Sequence, residues 1–177
     1  MNGLKRHVRS ARQLIGLSTV FLLFCSPVGS EPIEVMLHED DVVGAEDIEA
    51  GNYAEGVERL LARVSVGSLS HSARTPMVID LCAGYTMLED FEAAETYCDQ
   101  AVESGWSAGL ALNNRGALHV AKGDYASAIR DFQAAIDAHG ADRIARRNLQ
   151  RIEAKVAALR APKDSVVAYV APDAIVD

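Results

Sequence analysis

From Tyr125 to Ile136 the apolar positions fall on one side of a helix. Ala128 and Ala135 are seven apart and share a face, with Phe132 between them. The pattern predicts a helix over 125–138, preceded by another over 110–122. Between them, Gly123 supplies the permissive backbone that ends the first helix, and Asp124 can cap the second. A third stretch, 142–160, carries Ile144, Leu149, Ile152, Val156 and Leu159 as a single apolar stripe with basic residues opposite. That is the half-polar face of a helix that ends a stack. Leu14 to Cys25 is different: apolar for 12 residues, short of the roughly 20 that span a bilayer.

The helical pattern repeats. At a lag of 34 residues Asp90 falls on Asp124, Phe91 on Tyr125, Ala94 on Ala128, Cys98 on Phe132 and Ala101 on Ala135. One step further, Ala111 falls on Ala145 and Asn114 on Asn148. An earlier copy sits at a lag of 38, where Tyr53 meets Phe91 and Leu60 meets Cys98. Its four extra residues fit a loop within "VGSLSHSART", whose Gly, Ser and Thr content is loop chemistry. Each copy reads as two helices around a corner. Small residues allow the helices to approach closely, and the aromatic fills the space to the next pair.

These segments resemble the tetratricopeptide repeat (TPR) family. The residues that carry the likeness are "KGDYASAIRDFQAAI" with Gly116 before it, "LEDFEAAETYCDQAV" with Cys82 in the equivalent earlier place, and the degenerate "AGNYAEGVERLLARV". The second copy departs from the pattern at Glu89, where glycine is usual. The resemblance implies an all-α fold, a short α-solenoid of about three helix pairs. The repeats are expected over about 37–70, 75–108 and 109–142, with a capping helix over 142–160 and an extended or mobile tail over 161–177. It constrains function far less than fold.

Residues 1–30 stand outside this domain. Lys5, Arg6, Arg9 and Arg12 form a basic start, the apolar run follows, and Val28-Gly29-Ser30 supplies small residues after the break at Pro27. This is the layout of a secretory signal peptide. Cleavage is expected after Ser30, placing the chain in a bacterial periplasm or outside the cell. An uncleaved anchor is the alternative. Lipidation at Cys25 is disfavoured by the bulky Phe24. The whole chain carries a formal charge of −8, and the part from 31 onward has 13 basic against 25 acidic residues, net −12. Such a charge opposes nonspecific binding to nucleic-acid phosphate.

Catalytic chemistry finds no purchase in the pattern. There is no phosphate loop, nucleophile elbow or His-Glu-x-x-His motif, and His38, His71, His119 and His139 lack ligand spacing. No metal, cofactor or enzymatic activity is expected. Glu39-Asp40-Asp41 reads as a solvated helix start. Cys82 and Cys98, sixteen apart, are not a redox pair. The repeat aims both at one helix seam, where they form either a disulfide, favoured by export, or two buried thiols.

The first helix of each repeat should line a concave face. Helical spacing points His38, Asp41, Val42, Ala45 and Glu49 inward from the first copy; Ile79, Asp80, Ala83 and Met87 from the second; Asn113, Asn114, Ala117 and Ala121 from the third; and Arg147, Asn148, Arg151 and Lys155 from the last helix. The surface runs from acidic, through small and apolar, to basic. Asparagine amides donate and accept at once, which suits a peptide backbone, and the arginines suit a carboxylate. The expected function is non-enzymatic binding of an extended peptide or partner helix in this groove. A structural subunit that self-associates or packs in an envelope complex is the alternative. A carboxylate clamp of the kind some TPR proteins carry is not expected, because Asp41 and Asp80 stand where basic or amide groups would help.

Overall fold

The computed structural model describes residues 32–38, 42–138 and 142–161. The leader assigned to 1–30 and almost all of the tail lie outside them. The described residues contain seven α-helices and no strand: α1 (Ala45–Glu49), α2 (Tyr53–Val64), α3 (His71–Met87), α4 (Phe91–Glu103), α5 (Ala108–Ala121), α6 (Tyr125–Asp137) and α7 (Asp142–Arg160). The fold is all-α. Each helix packs on the next, and α5 also packs on both α3 and α7.

The corners recur as the lag requires. Gly51, Glu89 and Gly123 precede α2, α4 and α6, and all three have positive φ, at 86°, 59° and 80°. Glycine adopts that backbone without strain; Glu89 does not. The next residue caps the helix in two of the three. Asp90 accepts from the Ala93 amide at 3.3 Å and Asp124 from the Ser127 amide at 3.1 Å, while Asn52 makes no side-chain cap. Behind the corners, small residues set the helix spacing. A Cβ at Gly116 would lie 2.7 Å from the Phe132 ring, so α5 and α6 approach as closely as they do because position 116 is bare.

Two expectations change. The four extra residues only partly enlarge the loop before the second repeat, which spans 65–70 against 104–107 before the third. His71–Thr75 is helical, because Ser70 accepts from the Ala73 amide at 3.2 Å and so caps a longer α3. Arg74 then reaches back to the Val64 carbonyl at 2.7 Å, satisfying the end of α2.

The first repeat changes more. Its first helix, expected from about residue 37, shrinks to the five residues of α1. Gly44 has φ 98°, and a Cβ there would lie 2.5 Å from the Gly56 carbonyl oxygen. The chain turns sharply against α2 at this point and the helix cannot extend upstream through it. Val42 and Ala45, placed in the groove by helical spacing, are buried in the core with Ile48, Val57 and Leu60. Asp41 lies outside the described residues. Residues 32–38 carry no helix at all.

Candidate functional site

Residues 32–38 cross the face formed by α3, α5 and α7. Alternate residues of this arm are held through their main chain. Asn148 Oδ1 accepts from the Glu34 amide at 2.9 Å, and its Nδ2 donates to the Glu34 carbonyl at 2.8 Å. Asn114 repeats the pair on Met36, at 2.7 and 2.6 Å. Asp80 Oδ1 accepts from the His38 amide at 2.8 Å. Asp80, Asn114 and Asn148 stand 34 residues apart, one on each of α3, α5 and α7. Three equivalent positions therefore meet residues i, i+2 and i+4 of an extended chain. The match works because a strand turns the same edge toward a surface at every second residue. Asn113 steadies the ladder, donating to the Glu34 carbonyl at 3.1 Å and accepting from Asn148 Nδ2 at 3.0 Å.

Side chains add a direction. Glu34 faces the basic end: Arg151 Nη1 lies 2.7 Å from its Oε1 and Arg147 Nη2 3.3 Å from its Oε2. Arg151 also donates to the Pro32 carbonyl at 2.8 Å. At the opposite end the His38 ring stacks on Trp106, centroids 4.8 Å apart. The odd residues are all apolar. Ile33 packs on the cluster of Ala128, Phe132 and Ile152, and Leu37 on that of Val42, Ala45 and Ile48. Val35 lines a cavity of about 450 Å³ between the arm and Thr86, Met87, Ala117 and Val120.

One rung differs from the others. Asn113, Asn114, Asn148 and Asp80 are all fully buried, yet Asp80 Oδ2 has no partner among the described residues. An asparagine there could donate to the chain; a carboxylate cannot. Burial pushes the Asp80 carboxyl up to about 7, against the lowering effect of the His38 amide, with Glu49 adding a smaller push.

Asp80, Asn113, Asn114, Arg147, Asn148 and Arg151 thus come together as helical spacing proposed, and Met87 borders the cavity beside them. Ile79 does not join them: it is fully buried in the core. Full burial of the three asparagines also means they are not surface solubilisers. The arm and Trp106 went unrecognised at the sequence level. The signal was present in Ile33, Val35 and Leu37, apolar at every second residue as in a strand, but Met36 breaks the alternation and the acids that follow read as the start of a helix. Lys155 lies 5.2 Å from the centre of the Tyr125 ring, a cation–π contact at the groove's edge.

Two further features tie the helices together. Cys82 and Cys98 form a disulfide between α3 and α4. Arg115 on α5 holds Asp131 on α6 through two bonds of 2.8 and 2.9 Å, and Asp99 on α4 at 3.2 Å; His119 Nε2 lies 3.5 Å from Asp131. No group of three or more candidate metal ligands occurs among the described residues. No protein-family model, curated protein or solved structure matches the chain.

Proposed function

We propose that the chain is a non-enzymatic, TPR-type interaction module of the bacterial cell envelope whose groove binds an extended peptide. The ladder of Asp80, Asn114 and Asn148 carries this reading. It bonds main-chain groups at alternate residues, and a helix has already used those groups internally. Of the two ligand shapes suggested by the sequence, the extended peptide therefore fits and the partner helix does not. The clamps address backbone rather than side chains, so a chain other than the arm can satisfy them.

The test is affinity capture of envelope proteins on the chain from residue 31 onward, compared with its Asn114→Ala, Asn148→Ala double variant. Loss of specific captured proteins from the variant, with helical content retained, supports the reading. Identical capture by both chains overturns it. The self-association alternative rests on the end of the helix row, where Leu159 is 66% exposed beside a shallow pocket lined by Tyr125, Ile129 and Val156. Light scattering decides it: a monomeric mass at high concentration removes it.

A further inference from the structure

We propose that residues 32–38 are a built-in pseudo-ligand. On this view, which rests on the peptide-binding reading, the groove receives in trans a partner segment with the arm's own pattern, and the arm competes for it in cis. The groove contacts specify that pattern. A carboxylate residue stands at the position of Glu34, where Arg147 and Arg151 converge on it. Apolar residues flank it and recur two further on, at the positions of Ile33, Val35 and Leu37. A flat ring sits at the position of His38, against Trp106. Proline is excluded at the positions of Glu34, Met36 and His38, whose amides are all donated. It is accepted at the position of Pro32, where only the carbonyl is used. The partner is thus an acidic, strand-forming segment of another protein.

Three observations favour competition over a permanent strap. The floor beneath the arm's backbone is polar: four fully buried residues, Asp80, Asn113, Asn114 and Asn148, direct their side chains to that backbone or to one another, while Ile33 and Leu37 pack on apolar clusters beside them. When the arm leaves, water can satisfy these polar groups, and a partner with the same apolar pattern covers again the sites of Ile33 and Leu37. The ladder is also single-bonded at Asp80: its Oδ1 accepts from the His38 amide, and its second oxygen has no partner among the described residues. Finally, the specific side-chain pairing is electrostatic and only part-buried, with Glu34 32% and Arg151 15% exposed. A tethered arm acts at an effective concentration of order millimolar. A partner must outcompete that, so loosening the arm should unmask affinity.

The probe is a fluorescent peptide with the sequence of residues 31–38, read by anisotropy. The chain is tested intact and as Glu34→Lys, which sets a lysine against Arg147 and Arg151 without altering the groove. The expected result is at least tenfold tighter probe binding by the Glu34→Lys chain than by the intact one. A probe with lysine in place of its glutamate should lose that binding, and should regain part of it on a chain that keeps Glu34 and carries Arg151→Glu, where the arm is the repelled partner. Equal affinity of the intact and Glu34→Lys chains overturns the proposal, as does equal binding of the two probes.

If Glu34→Lys fails to fold, a chain with a protease site in place of residues 39–41, cut after folding, answers the same question. Excess probe should release the cut arm on gel filtration; an arm that stays bound marks a structural strap and overturns the proposal. Should envelope-protein capture still depend on Asn114 and Asn148 after either negative result, the peptide-binding reading survives and only the pseudo-ligand fails.

Discussion

Asp80 shows how one atom separates a scaffold residue from a responsive one. It occupies the position that asparagine holds in the next repeat and in the last helix, differing by an oxygen in place of an amide nitrogen. Its folded carboxyl titrates at about 7, against an ordinary value near 4. Between those values the folded chain binds the proton and the unfolded chain does not. Stability must therefore fall as pH rises from about 4 to about 7, and level off above, by at most about 4 kcal/mol from this group. Asp80→Asn should abolish that slope and raise the melting temperature at pH 8 while changing little at pH 4; an unchanged slope would show the carboxylate to be better solvated than its burial implies. Glu89 is the second informative residue. It holds φ 59° where Gly51 and Gly123 hold similar angles. Glu89→Gly should stabilise the chain by about 1 kcal/mol by relieving that strain, measurable by urea unfolding. The departure from glycine at 89 was visible in the repeat alignment; its backbone cost was not, because a positive φ is a property of the folded corner.

At the scale of elements, neighbouring helices are joined by three kinds of contact. Between α5 and α6 it is steric: Gly116 leaves room for Phe132, which is fully buried. Gly116→Ala should cost about 1–3 kcal/mol through overpacking, with the loss seen in thermal melts and not matched by a control alanine at exposed Gln133→Ala. Between α3 and α4 it is covalent. The Cys82–Cys98 disulfide closes a loop of sixteen residues' separation, which corresponds to about 3 kcal/mol by restricting the unfolded chain. Reductant should lower the melting temperature by on the order of 10 °C, and intact-mass measurement should show two hydrogen atoms gained. No response to reductant would mean the thiols pack equally well unlinked. Among α4, α5 and α6 the contact is ionic, through Arg115. Sequence placed both cysteines at one seam but left disulfide and thiols as alternatives, since either chemistry fills a small buried volume.

For the whole molecule, the groove and its occupant are one object. The arm runs from α7 back to α3, against the order of the repeats, so the start of the described chain is stitched to its end. Ligand linkage follows. Added at 100 times its dissociation constant, the arm-sequence peptide should stabilise the Glu34→Lys chain by about 2.7 kcal/mol, raising its melting temperature while leaving the intact chain nearly unmoved. A similar shift in both chains would place the peptide somewhere other than the groove.

The sequence by itself determined most of the helices and which groove residues share a face. A lag of 34 fixes which residues are equivalent, and helical period fixes which of them share a face; both are local regularities that survive translation into any packed structure. Asn113, Asn114, Asn148, Arg147 and Arg151 were legible for that reason. Tertiary structure decided what the period could not. It sent Ile79 into the core, because the side of α3 that carries Ile79 packs against neighbouring helices rather than the arm. It cut the first helix to five residues at Gly44, where close approach to Gly56 leaves no space for a side chain. And it laid Pro32–His38 across three helices, with contacts spanning up to 119 residues of sequence. Those contacts depend on helices brought side by side, and no property of a short window of sequence contains that distance.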